Sequence, residues 1–588
     1  MCGIAGIVMR DGSPVDSAVL ERLAAAMAHR GPDGVGAHLA GPMGLVNTRL
    51  AIIDLETGDQ PLFDEAHAVL VANGEVYNDP EIRADPACTP YATGSDCESV
   101  LKLYRRDGAG LMQDLRGMYA IALFDPSCGR LLLARDPFGI KQLYLAETDA
   151  YLAFASEAKA LIEAGLAGRG LRPTARAELA QLKFTTGRQT IFSDIQRLLP
   201  GELIALADGR VVERRRRAAL PEGGPIAGDD EALLAALDRV LTDTVAHHLR
   251  SDVPYGLFLS GGIDSSVLVA LMARLTDQPV YALTAGFAGS GGADETALAG
   301  RVARSVGADH HVIEVGEDDF WRFAPEVAAC LDDPTTDAAA LPTWMLARAA
   351  KGGMTVVLSG EGADEMFGGY SRYRRARLFG ALAGRSRTRG VFRGGVAAAA
   401  ALRGWRDGLA RAEVEVAHPG RTTMQRLQAA DCAEWLPNDL LVKLDRCLMA
   451  HSLEGRTPYL DPVVADFAFR LPDRAKARGR MGKWLLREWL ARNVPAAEPF
   501  ARKSGFNPPV GTWIAARADR LGDLVAAQPG VAEFLPARAV RAVIADAADN
   551  SQAAWSLVFY ALWHTHHVLG LPADGAIDEV LAAAGRGG

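Results

Sequence analysis

The segment 255–266 constrains the fold more than any other part of the sequence. It reads Tyr-Gly-Leu-Phe-Leu-Ser-Gly-Gly-Ile-Asp-Ser-Ser. Its apolar run, Leu257 to Leu259, is typical of a parallel strand that is covered on both faces, and apolar residues recur at helical spacing from Val267 onward. The sequence therefore predicts a buried strand, a Gly-rich turn and a helix that begins at the turn.

The turn in this segment carries groups that bind phosphate. Gly261 and Gly262 allow close approach of the backbone, and the free N–H groups and dipole of a helix N-terminus favour an anion. Asp264 would hold a magnesium ion, because Mg²⁺ usually binds through one or two carboxylates plus phosphate oxygens. An isolated Gly-Gly turn more often only caps a helix, but the strand before it and the Asp after it favour a nucleotide site.

This turn lacks the Lys that follows the last Gly of a Walker loop, and it lacks the three spaced glycines of a dinucleotide fingerprint. It resembles instead the pyrophosphate loop of ATP pyrophosphatases, enzymes that adenylate a carboxyl or carbonyl oxygen and release pyrophosphate. The resemblance implies that ATP is bound by Leu259, Ser260, Gly261, Gly262, Asp264, Ser265 and Ser266.

A second loop of similar character follows the apolar run 354–358 and reads Ser-Gly-Glu-Gly-Ala-Asp-Glu from residue 359. Parallel strands place such loops together at their carboxyl ends. We therefore expect Ser359 and Gly360 to join the ATP site, and Asp364 to share the Mg²⁺ with Asp264. Glu361 would contact the acceptor, the molecule whose oxygen is adenylated, or the amine that attacks it. The alternative is an acidic surface turn.

Length and composition narrow the class of protein. A chain of 588 residues is too long for one hydrophobic core, so two large domains are expected. Hydrophobic residues make up 49%, and the net charge of −9 gives no reason to expect a nucleic acid partner. No apolar run approaches the roughly 18 residues of a membrane span, and the seven cysteines include no C-x-x-C pair. These features favour a cytoplasmic enzyme without a disulfide framework.

Cys2 is a candidate nucleophile. Removal of the initiator Met would expose its α-amino group, whose pKa of about 7.7 to 8 lets it accept the thiol proton near neutral pH. The simpler interpretation is a buried cysteine at the start of a strand. The residues downstream decide between the two.

Four residues downstream offer groups that could bind a substrate beside Cys2. Arg49, expected at the start of an apolar strand, can clamp a carboxylate with its planar fork. Asn73 and Gly74, expected after the strand 68–72, offer the two donors of an oxyanion hole. Asp96 offers an acid for an α-ammonium group. Taken singly they more often form a surface ion pair, a hairpin turn and a helix cap, but together behind an N-terminal Cys they favour a site.

The N-terminal part resembles a class II glutamine amidotransferase domain, an αββα sandwich of two antiparallel sheets. The motifs that carry the resemblance are Met-Cys-Gly-Ile at the N-terminus, Arg30-Gly-Pro-Asp33, Arg49-Leu-Ala-Ile-Ile-Asp54, Asn73-Gly-Glu-Val-Tyr-Asn78, Gly94-Ser-Asp96 and Arg135-Asp-Pro-Phe-Gly-Ile-Lys141. The resemblance implies that Cys2 attacks the glutamine amide while Asn73 and Gly74 stabilise the oxyanion. It assigns glutamine binding to Arg49, Asn73, Glu75 and Asp96.

The C-terminal part resembles the asparagine synthetase domain. The resemblance rests on the two loops together with Lys443-Leu-Asp-Arg446, Glu454-Gly-Arg-Thr-Pro-Tyr-Leu-Asp461, Gly482-Lys483 and Arg502-Lys-Ser-Gly-Phe506. Lys483 is the candidate cation for the negative charge that builds up as pyrophosphate leaves. The expected fold is thus an N-terminal nucleophile sandwich, a connector and a parallel-sheet α/β ATP pyrophosphatase domain with additional helices. The boundaries are 2–212, 213–230 and 231–570, with a flexible tail at 571–588.

The sequence departs from the family pattern in the segment expected to lie near the acceptor. The segment Asp332 to Thr343 replaces the Thr-Ile-Arg-Ala-Ser-Thr type of sequence that aspartate-specific enzymes carry there, and Ala363 replaces a Ser. The Arg- and Ala-rich stretch 372–421 has no assigned chemistry. The resemblance implies a ligase with glutamine, ATP and a carboxylate as substrates, and it leaves open whether the chain forms a homodimer. Aspartate is the default acceptor, with a sugar, peptide or secondary-metabolite carboxylate as alternatives.

Two other classes of protein remain as alternatives. One is a cyclase like β-lactam synthetase with an inert N-terminal domain, and the intact Cys2, Arg49, Asn73 and Asp96 count against it. The other is a glutamine or nucleotide sensor, which would be expected to have lost a nucleophile or a metal ligand. Neither loss has occurred.

Overall fold

The computed structural model describes residues 2–287, 295–380, 389–400, 402–501 and 508–585. Its N-terminal half contains two six-stranded antiparallel sheets, with strand orders β10-β8-β9-β1-β3-β2 and β12-β11-β7-β6-β5-β4. These strands are β1 (Gly3–Met9), β2 (Gly34–Ala40), β3 (Met43–Arg49), β4 (Leu62–Phe63), β5 (Val69–Val76), β6 (Gly117–Asp125), β7 (Arg130–Arg135), β8 (Tyr144–Glu147), β9 (Tyr151–Ala155), β10 (Ile195–Arg197), β11 (Glu202–Ala207) and β12 (Arg210–Arg216).

The two sheets face each other and are covered by helices on their outer faces. Along β1, Ile4 and Val8 pack against the second sheet, whereas Ala5 and Ile7 pack against helix α1, as the two-residue period of a strand requires. The helices of this half are α1 (Ser17–Ala26), α2 (Asp79–Ala84), α3 (Glu98–Asp107), α4 (Ala158–Glu163) and α5 (Pro173–Leu182). Helix α3 covers the second sheet. The predicted αββα sandwich is therefore confirmed.

The C-terminal half is built on a five-stranded parallel sheet of order β15-β14-β13-β16-β17. Its strands are β13 (Tyr255–Phe258), β14 (Tyr281–Phe287), β15 (Asp309–Val315), β16 (Val356–Leu358) and β17 (Glu454–Arg456). The order reverses between β13 and β16, which pair in parallel with Leu257 opposite Leu358. Open α/β sheets bind ligands at such a switch point, so the loops after these two strands lie where a ligand is expected.

Helices cover both faces of this sheet, and Val356 and Leu358 face one core while Val357 faces the other. The helices are α6 (Asp230–His248), α7 (Ile263–Leu275), α8 (Glu295–Val306), α9 (Glu317–Cys330), α10 (Ala340–Ala350), α11 (Ala363–Phe367), α12 (Ser371–Phe379), α13 (Gly394–Ala399), α14 (Asp407–Glu415), α15 (Thr423–Ala430), α16 (Leu441–Met449), α17 (Pro462–Phe469), α18 (Asp473–Lys476), α19 (Trp484–Asn493), α20 (Val510–Ala516), α21 (Ala518–Ala526), α22 (Pro529–Ala532), α23 (Ala537–Ala545), α24 (Ser551–His567) and α25 (Ile577–Ala584). A π-helix spans Asp431–Leu440, and a small antiparallel pair joins β18 (Ala477–Arg478) to β19 (Met481–Gly482).

Two local predictions about the N-terminal half were wrong. Arg49 ends a strand instead of starting one, because the apolar run after it is buried against the C-terminal half, where Leu50 and Ile52 join its core. Asn73 and Gly74 lie inside β5 instead of after it, since their backbone pairs with β6. Strand β12 also continues to Arg216, into the segment predicted as a connector. Within the described residues, no helix is both long enough and apolar enough to cross a membrane.

Buried ion pairs join the two halves. Arg30 lies 2.9 Å from Asp445, and Arg197 Nε donates to Asp333 at 2.6 Å. All four side chains are buried, so breaking one of these pairs would leave an uncompensated charge in the interior. The two halves therefore hold each other in a fixed orientation.

Candidate functional site

The N-terminal site is centred on Cys2, which is buried at the start of β1. Its backbone N–H donates to the Asn73 side-chain oxygen at 3.2 Å, and its carbonyl accepts from Arg30 Nε at 3.2 Å. The Asn73 amide nitrogen is buried and has no hydrogen-bond partner among the residues that the structure describes. A buried donor without a partner is costly, and an oxyanion formed beside the thiol would satisfy it.

Gly74 is required by the sheet itself. A Cβ at this position would come within 2.1 Å of the Met118 carbonyl oxygen on the neighbouring strand. The backbone can therefore pack closely here only if residue 74 is Gly. This close packing fixes Asn73 and Glu75 on either side of it.

Glu75 in this strand and Asp96 beside it are buried carboxylates. Asp96 accepts from the Val76 N–H at 2.6 Å, and Glu75 lies 3.2 Å from Arg456 Nη2. Burial raises the pKa of Asp96 to about 6, although the Val76 N–H lowers it in part. An approaching ammonium group would favour the charged form of Asp96.

Arg49 ends β3, in which the preceding residue, Thr48, pairs with Gly3 of β1, and its guanidinium is already engaged. Nη1 pairs with Asp59 at 2.7 Å, and Nη2 donates to the Asp54 carbonyl at 2.5 Å. The Asp59 side chain is 84% exposed, so its ion pair is weak.

Arg456, whose role the sequence did not reveal, connects the two sites. It is fully buried at the end of β17, pairs with Glu454 at 2.6 Å and reaches Glu75 in the other half. A short way along the chain, Tyr459 donates its hydroxyl to the Asp264 carbonyl at 2.9 Å. The sequence analysis included Arg456 only as a member of the motif Glu454 to Asp461. No pattern in the sequence indicates that it contacts Glu75.

The pyrophosphate-type loop lies where the sequence predicted, between β13 and α7. Gly261 has φ of +69°, and the hydroxyls of Ser260 and Ser265 lie 3.2 Å apart. Ser266 is fully buried, and its hydroxyl oxygen has no hydrogen-bond partner among the described residues. Leu259 is buried in the core beneath the loop.

The two loops meet at Asp264, Asp364 and Lys483. Lys483 Nζ lies 2.5 Å from Asp264 and 2.7 Å from Asp364, and its charge holds both carboxylates together. Burial lowers the pKa of Lys483, but the two carboxylates outweigh burial and raise it above its usual value. Gly360 packs on this cluster, since a Cβ there would lie 2.9 Å from Asp264 Cβ. The four residues form one site.

Oxygen donors of this kind suit Mg²⁺. Among the described residues, no group of three or more His, Cys, Asp or Glu side chains is arranged to hold a metal. A cation here would therefore need phosphate oxygens to complete its shell, which fits an ion that arrives with ATP.

Glu361 belongs to a second charged cluster, together with Lys443, Asp337, Lys183 and Asp439. Lys443 Nζ lies 3.2 Å from Glu361 and 3.3 Å from Asp337. Lys183, from the N-terminal half, lies 3.8 Å from Asp337 and 3.7 Å from Asp439. Sequence reasoning missed Lys183, because no local pattern indicates that a residue after α5 reaches the C-terminal site. The motif 502–506 lies outside the described residues.

The fold and the two sites define a class of enzyme: an N-terminal nucleophile amidotransferase half joined to a parallel-sheet half with a pyrophosphate-type loop. Comparison with protein families agrees. Residues 1–216 match the glutamine amidotransferase domain and residues 236–565 match asparagine synthase. The chain belongs to the asparagine synthase family and is a carbon–nitrogen ligase of that type.

Named relatives span nearly the same length. A putative glutamine-hydrolysing asparagine synthetase of Mycobacterium tuberculosis is 34% identical, covering 96% of this chain and 97% of the relative. Asparagine synthetase 1 of Bacillus subtilis is 29% identical, with 97% of each chain covered. Asparagine synthetase B of Escherichia coli is 29% identical over 90% of this chain and 85% of that protein.

Proposed function

We propose that the chain hydrolyses glutamine at Cys2 and uses the ammonia to convert a carboxylate, activated by ATP, into an amide, with release of AMP and pyrophosphate. Residues 2–212 would carry the first step and residues 231–570 the second. The observation that supports the proposal most directly is the convergence of Asp264, Asp364 and Lys483 at the carboxyl ends of adjacent parallel strands.

The glutaminase step would use the N-terminal residues as follows. The Cys2 thiolate attacks the side-chain amide carbon, and the free Asn73 amide N–H and the Gly74 N–H stabilise the oxyanion. The Cys2 α-amino group, exposed once Met1 is removed, passes the proton it took from the thiol to the amide nitrogen, which leaves as ammonia. Water then hydrolyses the thioester to glutamate and restores the thiol. Arg49 binds the α-carboxylate of glutamine in place of Asp59, Asp96 binds the α-ammonium group and Glu75 helps to hold the substrate.

The synthetase step would use the loops of the parallel sheet. An oxygen of the acceptor carboxylate attacks the α-phosphorus of ATP and pyrophosphate leaves, while Lys483 neutralises the charge that builds up on the phosphates. Magnesium held by Asp264 and Asp364 would supply further charge neutralisation. Ammonia then attacks the acyl carbon, AMP leaves and Glu361 takes the released proton. Burial raises the pKa of Glu361, which suits it to that role.

The names of the relatives indicate aspartate as the first acceptor to test. The purified chain would be incubated with ATP, with glutamine labelled with ¹⁵N at the amide, and with aspartate or another carboxylate. The masses of the products would be measured by mass spectrometry. We expect one amide that carries the label, formed in equal amount with AMP. A cyclic product that lacks the label would contradict the proposal and favour the cyclase alternative.

A further inference from the structure

Arg456 is a fully buried residue of the C-terminal half that lies at the boundary with the N-terminal half. Three of its N–H donors are used inside its own half. Nε donates to Glu454 at 2.6 Å, and Nη1 donates to the backbone carbonyls of His248 and Arg250 at 2.7 and 2.6 Å. An arginine side chain has five N–H donors. The two on Nη2 are therefore left for a group outside these contacts.

The Nη2 group of Arg456 points to the other half. It lies 3.2 Å from the carboxylate of Glu75, yet it makes no aligned hydrogen bond to any residue that the structure describes. Buried donors are normally satisfied, because an unsatisfied one is costly. A contact that is close but incomplete is more typical of a binding site than of an ion pair that only stabilises the fold.

Glu75 lies on the same face of β5 as Asn73. Val76 packs among the residues under helix α3, whereas Val71 packs between the two sheets. The two-residue period of a strand therefore places Asn73 and Glu75 together on the face that Val71 occupies. A residue that holds Glu75 in place thus acts directly beside the amide that would stabilise the oxyanion.

Arg456 also opposes the effect of burial on Glu75. Burial raises the pKa of Glu75, Arg456 lowers that pKa in part, and the charges of Glu454 and Asp96 raise it further. Without Arg456 the Glu75 carboxylate would bind a proton more readily, and a protonated carboxyl group is a weaker hydrogen-bond acceptor. The state of a glutamine-site residue therefore depends on a side chain of the other half.

The segment that carries Arg456 contacts both loops of the ATP site. The Arg456 carbonyl accepts from the Ser359 N–H at 2.9 Å, and the Tyr459 hydroxyl donates to the Asp264 carbonyl at 2.9 Å. A displacement of Arg456 would therefore move backbone that touches the synthetase site.

We propose that Arg456 is a positioning residue of the glutamine site, which holds the Glu75 carboxylate in place to accept a hydrogen bond from glutamine. Glutamine binding by the N-terminal half then depends on the docked C-terminal half, because the guanidinium is fixed by Glu454, His248 and Arg250. This inference rests on the proposed function and adds a residue to its first step.

A double-mutant cycle tests this role. Arg456→Met, Glu75→Gln and the double variant would be compared in glutamine hydrolysis, measured as glutamate release. We expect Arg456→Met to raise KM for glutamine by about 10- to 100-fold, the range for a hydrogen bond to a charged group. The kcat value should change little, because Cys2 and Asn73 are untouched. In the Glu75→Gln background the same change should have little further effect, because the group through which Arg456 acts is already altered.

Arg197→Met is the matched control. Arg197 is also buried and pairs across the boundary, but with Asp333 at 2.6 Å instead of with a glutamine-site residue. This variant should lower the thermal midpoint and leave KM for glutamine unchanged. If Arg456→Met does not fold, Arg456→Lys takes its place in the cycle, since it keeps a cation but loses the planar fork.

An unchanged KM in the folded Arg456 variant would overturn the inference and leave the proposed function intact. The same would follow if the change raised KM by an equal factor with and without the Glu75 carboxylate, because Arg456 would then act independently of Glu75. A failure of the unaltered chain to hydrolyse glutamine would instead contradict the proposed function.

Discussion

Replacement of Lys483 by Ala tests the synthetase site at its centre. The side chain is 5% exposed and contacts Asp264 and Asp364 at 2.5 and 2.7 Å. Its removal leaves two neighbouring carboxylates without their cation and takes away the charge that would stabilise departing pyrophosphate. Loss of one such stabiliser typically lowers kcat by about 100- to 1000-fold, or about 2.7–4 kcal/mol.

The effect on folding should be smaller. Breaking a buried ion pair costs about 3–5 kcal/mol, but Asp264 and Asp364 are 18% and 23% exposed and keep contact with water. A cost of about 1–2 kcal/mol is therefore expected. Pyrophosphate release would be measured beside glutamine hydrolysis, with Lys351→Ala on the exposed end of α10 as control. Normal pyrophosphate release from Lys483→Ala would refute the assignment.

Three further predictions concern the N-terminal half and the interface. Asn73→Ala should lower kcat of glutamine hydrolysis by about 100- to 1000-fold with little change in KM, because the free amide acts on the oxyanion; a change confined to KM would contradict this. Glutaminase kcat/KM should fall as the pH drops through about 6. Burial raises the pKa of Asp96 to about 6, so below this pH Asp96 loses the charge that binds the glutamine ammonium group. An Asp96→Asn variant with the same pH profile would exclude Asp96 as the cause. Arg197→Ala should destabilise the chain by about 3–5 kcal/mol, because the buried Asp333 keeps the Tyr144 hydroxyl but loses its cation. A thermal midpoint no lower than that of the exposed control Arg520→Ala would show that this pair does not hold the halves together.

The sequence predicted the parts of the fold that depend on local pattern. The apolar run before Gly261 became β13, the helix after it became α7, and the second loop came to lie beside the first because β13 and β16 are parallel neighbours. The error at Arg49 has the same origin, since an apolar run indicates burial without indicating a strand. Leu50 and Ile52 are buried against the other half as an irregular segment.

Contacts between the halves could not be predicted. Lys183 meets Asp337, and Arg456 meets Glu75, across long stretches of chain. Their positions depend on how two complete cores dock. Neither the spacing of charges nor the local hydrophobic period carries that information.

The most direct test of the two-site account is whether amide formation by the variant Cys2→Ala depends on the nitrogen source. Amide formation would be measured with glutamine and, separately, with a high concentration of ammonium salt. The account predicts that Cys2→Ala loses glutamine-dependent synthesis and keeps ammonium-dependent synthesis, because only the first half-reaction uses the thiol. Equal loss of both activities in a variant with an unchanged thermal midpoint would contradict it.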